Sequence, residues 1–222
     1  VKKADSASSS FYLDASAGLS LPLGAFTSTD LNNPASGFAT PGFLGQVNFD
    51  WIGKDNYGLG LQYTFQHNSL NSSVNGEKQK GLDYPLETGS WSNHYLMAGF
   101  SFLKFFHKVY IEGRALFGVV LSSCSIFNTI DPVYKSPSTN LGTGFAYGAQ
   151  VGAGYAVSRR VTVKANIEYI LGNPKIHRKY GAQVIGYNDT LGLIFSPPLD
   201  VETKRTVSAL LVKAGIVVKL SK

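Results

Sequence analysis

Few residues of this 222-residue chain could do chemistry, and they are widely spaced. His67-Asn68-Ser69 sets a potential base two residues from a hydroxyl nucleophile, with Glu77 or Glu87 as an acid to orient the imidazole. The motif is short and lies in a Ser/Asn-rich stretch, where a surface loop is the simpler reading. His67 and His94 could approach each other as metal ligands, but two histidines without a third ligand do not make a site, and no metal or other cofactor is expected. Lys175, His177, Arg178 and Lys179 form a basic cluster suited to phosphate groups, set against the alternative of a solvated loop. The single cysteine, Cys124, excludes an internal disulfide and reads as an incidental thiol. No phosphate loop, paired-Cys metal motif or dinucleotide fingerprint occurs.

The elements that must position these residues are strands. Alternation of apolar and small or polar residues puts one set on each face. In 11–23, Phe11, Leu13, Ala15, Ala17, Leu19, Leu21 and Leu23 share a face opposite Asp14, Ser16, Gly18 and Ser20. The same pattern recurs in 43–52, 57–67, 94–103, 109–121, 144–157, 161–171 and 209–220, predicting eight strands. Gly53–Asn56, Lys104–Lys108 and Ser158–Arg160 read as tight turns. The segments near 24–42, 68–93, 122–143 and 172–208 are long and rich in Ser, Asn, Gly and Pro. Short connections on one rim and long ones on the other are the pattern of a transmembrane antiparallel up-and-down β-barrel, with periplasmic turns and extracellular loops. Residues 1–10 are expected to be a periplasmic N-terminal extension and 11–222 a single barrel domain. The first residue is Val and no signal segment precedes it, so the chain is expected to be the mature form of an exported protein.

Composition agrees. Charged residues are 15% and hydrophobic ones 44%, with 24 glycines; an ordinary soluble domain carries about 25% charged residues. No run reaches the roughly 18 apolar residues of a spanning helix, so a membrane would have to be crossed by a closed barrel. The formal charge is +6, but the basic residues are scattered and nucleic acid is not an expected partner. The non-apolar strand face is mostly Gly, Ser, Ala, Thr, Gln and Asn. A soluble exterior would carry many Lys and Glu, whereas a narrow eight-strand interior holds small residues. The apolar face is therefore assigned to lipid. Its small residues Gly45 and Ala98 are places where a neighbouring membrane protein could approach.

The lumen then receives Asp14, Asp50, Glu112 and Glu168 together with Arg114, Lys164, Lys213 and Lys219. Buried charges must be paired, so a polar plug is expected. Asp14 and Lys219 lie on the two strands that must meet at closure, both near the periplasmic end. Trp51, Tyr57, Tyr110 and Tyr155 are placed near the periplasmic interface, and Phe43, Phe65, Tyr147 and Tyr169 near the outer one. Lys54, Lys104, Lys108, Arg159 and Arg160 on the tight-turn rim can meet leaflet phosphates or snorkel.

Several stretches carry a resemblance: 17–26 (Ala-Gly-Leu-Ser-Leu-Pro-Leu-Gly-Ala-Phe), 32–43, Trp91 to Phe100, 114–119 (Arg-Ala-Leu-Phe-Gly-Val) and the Gly-rich sixth strand. In these the chain resembles the small outer-membrane β-barrel proteins of the Bacteroidota, distantly like the OmpA and OmpX barrels, over nearly its whole length. The resemblance implies a bacterial outer-membrane location, contact with outer-membrane lipid and folding by the barrel-assembly machinery. It identifies a fold and not an activity. The chain ends Leu220-Ser221-Lys222 where such barrels often end in an aromatic, and a wall anchor through a peptidoglycan-binding domain is not expected. The His67–Ser69 pair faintly resembles the His-x-Ser of the lipid A deacylases, but Leu70 stands where that family has Asn. The expectation is a non-enzymatic structural or accessory barrel with a plugged polar lumen and loop-mediated interaction, in its most specific form a subunit of a larger outer-membrane complex. Lys175, Arg178 and Lys179 would touch lipopolysaccharide. A lipid A-modifying enzyme and a narrow solute pore are the alternatives.

Overall fold

The alternation becomes geometry in β1, Ser10–Pro22, where Asp14, Ser16 and Ser20 are buried while Leu13 and Leu19 are exposed. The same inward and outward alternation runs through β2 (Gly42–Ile52), β3 (Tyr57–Ser69) and β4 (Ser90–Phe106). It continues in β5 (Val109–Ile126), β6 (Ser138–Ala156) and β7 (Val161–Tyr180). Three short strands follow, β8 (Val184–Asn188), β9 (Gly192–Phe195) and β10 (Leu199–Lys204), before β11 (Val207–Lys219). The computed structural model describes residues 9–29, 36–71, 89–126, 138–180, 184–188, 192–195 and 199–220.

Each long strand pairs antiparallel with the next, and β11 returns to pair with both β7 and β1, closing an eight-stranded barrel. At the seam Asp14 stands opposite Val217 and Tyr12 opposite Lys219. β10 extends the β11 edge along the outer half of β7, while β8 and β9 form a separate hairpin. Closure removes every free sheet edge from the wall, which is what lipid requires.

The wall is apolar. Phe145 is 80% exposed, Phe100 67% and Leu61 58%, and these face outward with Val47, Leu96, Phe117, Val151 and Ile167. Such exposure would be an aggregation hazard in water and is the expected surface against acyl chains. Stacked Phe11 and Phe49, 5.7 Å apart, and the Phe43–Phe65 pair at 6.0 Å pave this surface. Tyr110, expected at the periplasmic interface, is instead 2% exposed and points inward, its ring lying where a side chain on Gly154 would stand. Even-numbered residues of β5 face the lumen, so Tyr110 belongs to the interior set with Glu112 and Arg114.

Seven strand placements fall within two residues of the structure at the periplasmic end, and that of β4 within three. The outer ends run longer than expected. β4 begins at Ser90 rather than 94, β5 runs to Ile126 rather than 121, β6 starts at Ser138 rather than 144 and β7 reaches Tyr180 rather than 171. At about 3.3 Å per residue, strands of 17 to 20 residues exceed the roughly 9–11 residues that cross a bilayer, so this side of the barrel rises above the outer leaflet.

Candidate functional site

The interior is the most elaborately built part of the molecule. Its centre is a polar network to which all eight barrel strands contribute. Lys213 on β11 donates to Glu168 and Gln46, and to Gln150 at 2.9 Å. Gln62 donates to Glu168 at 2.7 Å, and Gln46 donates to Gln62 at 2.9 Å, which closes a ring across the lumen. One layer toward the short turns, Lys164 donates to Asp14, and to Glu112 at 3.1 Å. Arg114 donates to Asp50 at 2.7 Å and stands 3.7 Å from Asp14 and 3.6 Å from Glu112. Asn48, Asn166 and Ser101 donate to Asp14, Glu112 and Asp50, and Gln150 donates to Glu112 at 2.7 Å, joining the two layers.

Seven of the eight charged residues expected in the lumen are therefore brought together: Asp14, Asp50, Glu112, Arg114, Lys164, Glu168 and Lys213. Lys219 is not among them. Two residues beyond Val217, it lies past the apolar floor of the lumen and lines the short-turn mouth. Asp14 takes its cation from Lys164, two strands away around the barrel, and not from its seam neighbour. Without Lys219 the buried set holds four carboxylates and three cations. The amides Gln46, Asn48, Gln62, Gln150 and Asn166, seen in the sequence only as members of the polar face, are the connectors.

The lumen is not uniformly polar as expected. Three apolar clusters are stacked along it, with the two charged layers between the middle and periplasmic clusters and a hydrogen-bonded group of Ser20, Gln66, Asn68, Asn93 and Ser122 between the middle and outer ones. Leu44, Tyr95, Met97, Leu116, Val120, Ile170 and Leu211 form the middle one. Tyr110, Leu103, Ile52 and Val217, with Tyr12 against them, close the periplasmic side. Phe26, Ala39, Trp91, Cys124, Ile176 and Val207 close the outer side. This outer plug is completed by the β1–β2 connection folding inward. Its 3-10 turn, Gly24–Phe26, inserts Phe26 against Trp91, and Trp91 Nε1 donates to the Gly37 carbonyl at 2.7 Å. Arg205 donates to the Ser36 carbonyl from the opposite wall. Cys124 is part of this plug and buried.

The candidate catalytic and metal residues lie on the outside. The His67 imidazole is 3.2 Å from Ser92 Oγ and rests on Phe43; no hydrogen bond joins it to Ser69 among the described residues. His94 pairs with Tyr63 Oη at 2.8 Å and packs on Phe65, which separates it from His67. No group of three potential metal ligands occurs among the described residues. Glu77 and Glu87 lie outside the described residues. Lys175 is exposed and bonded to Glu202 at 2.9 Å. The backbones of His177, Arg178 and Lys179 pair with β10, but their side chains lie outside the described residues. Ala98 sits in a lipid-facing depression of about 360 Å³ among Trp51, Leu59, Leu61, Phe100 and Phe117, and a side chain at Gly45 would meet open space.

The short-turn mouth is a second built feature. A vestibule of about 460 Å³ opens there. Lys54, Arg159, Arg160 and Lys219 line it, whereas Lys104 and Lys108 do not.

A closed antiparallel barrel with an apolar wall and a polar, ion-paired interior defines the class: this is an outer-membrane β-barrel. Neisserial surface protein A has a similar structure, at a TM-score of 0.57 and 15% identity, covering 94% of this chain and 96% of that one. OprG from Pseudomonas aeruginosa is similar at 0.51 and 12%, covering 97% of each chain. No family model matches the chain, and no curated protein sequence matches it.

Proposed function

We propose that this chain is a non-enzymatic structural or accessory protein of the outer membrane that acts through its outer surface and loops rather than through a pore. One observation carries the reading: beyond the short-turn vestibule the lumen is filled by three apolar clusters, two interlocked charged layers and a hydrogen-bonded group of Ser20, Gln66 and Asn68 between the middle and outer clusters. Eight strands leave room for side chains and little else. A path for solute would require several of these layers to move together. The strands that rise above the outer leaflet offer a rigid platform, and interaction is commonly carried by such loops and rims. The stretches that resemble the small Bacteroidota barrels favour the same role, in its most specific form as a subunit beside a larger outer-membrane assembly. The proposal extends to lipopolysaccharide: Lys175 is exposed and paired only with Glu202 among the described residues, which supports a contact with a lipopolysaccharide phosphate.

Crosslinking in native membranes followed by purification in mild detergent tests the proposal. A reproducible outer-membrane companion is the expected result. A barrel that always purifies alone, and whose loss alters the acyl pattern of lipid A, would replace this reading with the enzymatic one.

A further inference from the structure

We infer that the vestibule at the short-turn mouth is a binding site for an amphipathic organic anion, one that joins a carboxylate or phosphate to an apolar or aromatic group. The cavity, about 460 Å³, has the size of a small-molecule site. Its rim and its floor differ in chemistry. Lys54, Arg159, Arg160 and Lys219 line the rim, and no carboxylate does; Asp55, in the same turn as Lys54, is outside the lining. Among the described residues none of these four cations is in an ion pair, whereas the three buried cations deeper in the barrel all are. The floor is Tyr12, Ile52, Leu103 and Val217, the apolar layer that closes the lumen. A ligand with a charged head and an apolar body would satisfy both, while a bare anion would leave the floor wet and a neutral apolar molecule would leave the cations unmet.

The site is also held in shape before any ligand arrives. The Lys219 amide donates to the Arg160 carbonyl at 2.8 Å, tying the β6–β7 turn to the end of β11. Ser158 Oγ accepts from the amides of Arg160 and Val161 at 3.2 and 3.0 Å. Asn56, at a φ of 68°, turns the β2–β3 connection so that its carbonyl accepts from the Leu103 amide at 2.8 Å. These bonds are made by backbone or by Ser158, so the arginine side chains can be changed without removing them. A turn backbone already held in place need not be ordered when a ligand binds.

The test uses the full chain in nanodiscs of zwitterionic phosphatidylcholine, with N-acetylphenylalanine as probe and methyl NMR of Ile52, Leu103 and Val217 as readout. Saturable shifts are expected with the acid, and binding on the order of tenfold weaker for the neutral amide of the same compound or for inorganic phosphate. The double variant Arg159→Gln/Arg160→Gln, with its heat-modifiable gel mobility intact, is expected to weaken binding of the acid by a similar factor. Four results would overturn the inference: unmoved methyls, equal binding of the amide, equal binding of phosphate, or equal binding by the double variant. If instead the methyls move only when phosphatidylglycerol is added to the disc, the cations serve the lipid leaflet and the inference also fails.

Discussion

Lys213 and Glu168 form an ion pair in the middle of the barrel in which every hydrogen of the ammonium has an acceptor: the Glu168 carboxylate, Gln46 and Gln150. Both side chains are fully buried. The second carboxylate oxygen of Glu168 accepts from Gln62, so the pair is embedded in a ring linking β11, β7, β3, β2 and β6. A buried pair gains little over apolar packing unless its remaining donors and acceptors are met. Here they are met from opposite sides of the lumen, so the pair also fixes which strands face each other.

Lys213→Met should therefore be costly. It leaves the Glu168 charge buried without a cation, a loss of about 3–5 kcal/mol. Adding Glu168→Leu should recover part of this and not all, because Gln46 and Gln150 still lack their donor. Urea unfolding in lipid vesicles measures both. A single variant as stable as the parent would show that Glu168 is not held as an ion.

The face of every strand was legible in the sequence because period-two alternation survives wherever one side is lipid and the other is small or polar. Depth was not legible. Lys219 has the right face for the network, but nothing in its spacing reveals that it stands beyond the Val217 layer. The partner of Asp14 was equally hidden, because Lys164 reaches it around the curvature of the barrel rather than along the seam. The apolar plugs were missed where both faces are apolar, as in Leu116-Phe117 and Leu210-Leu211-Val212, since alternation carries no contrast there. The outer extensions were missed for the converse reason: Ser122-Ser123 and Gly142-Thr143-Gly144 look like loop, and only pairing with neighbouring strands makes them sheet.

Trp91 ties the inward-folded β1–β2 connection to the barrel through Gly37 and Phe26. Trp91→Ala removes that anchor and a large buried side chain, at a cost of about 3–5 kcal/mol. Cys124 reports the result, because it packs in the same cluster. A membrane-impermeant maleimide should leave Cys124 unmodified in the parent barrel in intact cells and label it in the variant. Equal labelling of both would mean that the plug is already open.

The wall is tested at Leu61, midway between Tyr57 and Phe65 on β3 and 58% exposed. Leu61→Arg should cost roughly 2–4 kcal/mol in a bilayer, the penalty for a cation near the midplane of a barrel wall. Leu61→Phe should be nearly neutral. Unfolding in lipid vesicles separates the two, and an arginine tolerated as well as phenylalanine would contradict the assignment of this face to lipid.

Conductance separates a plugged barrel from a narrow pore, and the layering sharpens the expectation. The parent barrel should be silent in planar bilayers. Trp91→Ala should be silent too, since it loosens only the outer plug and leaves the Leu44–Tyr95–Leu211 cluster, the two polar layers and the Tyr110 layer in place. Arg114→Ala should also remain silent at first, because Lys164 still bridges Asp14 and Glu112 beside it, though the barrel should be weakened by the unpaired Asp50. Steady single-channel currents from the parent would show that these layers part under voltage, and the lumen would then be a gate instead of a filling.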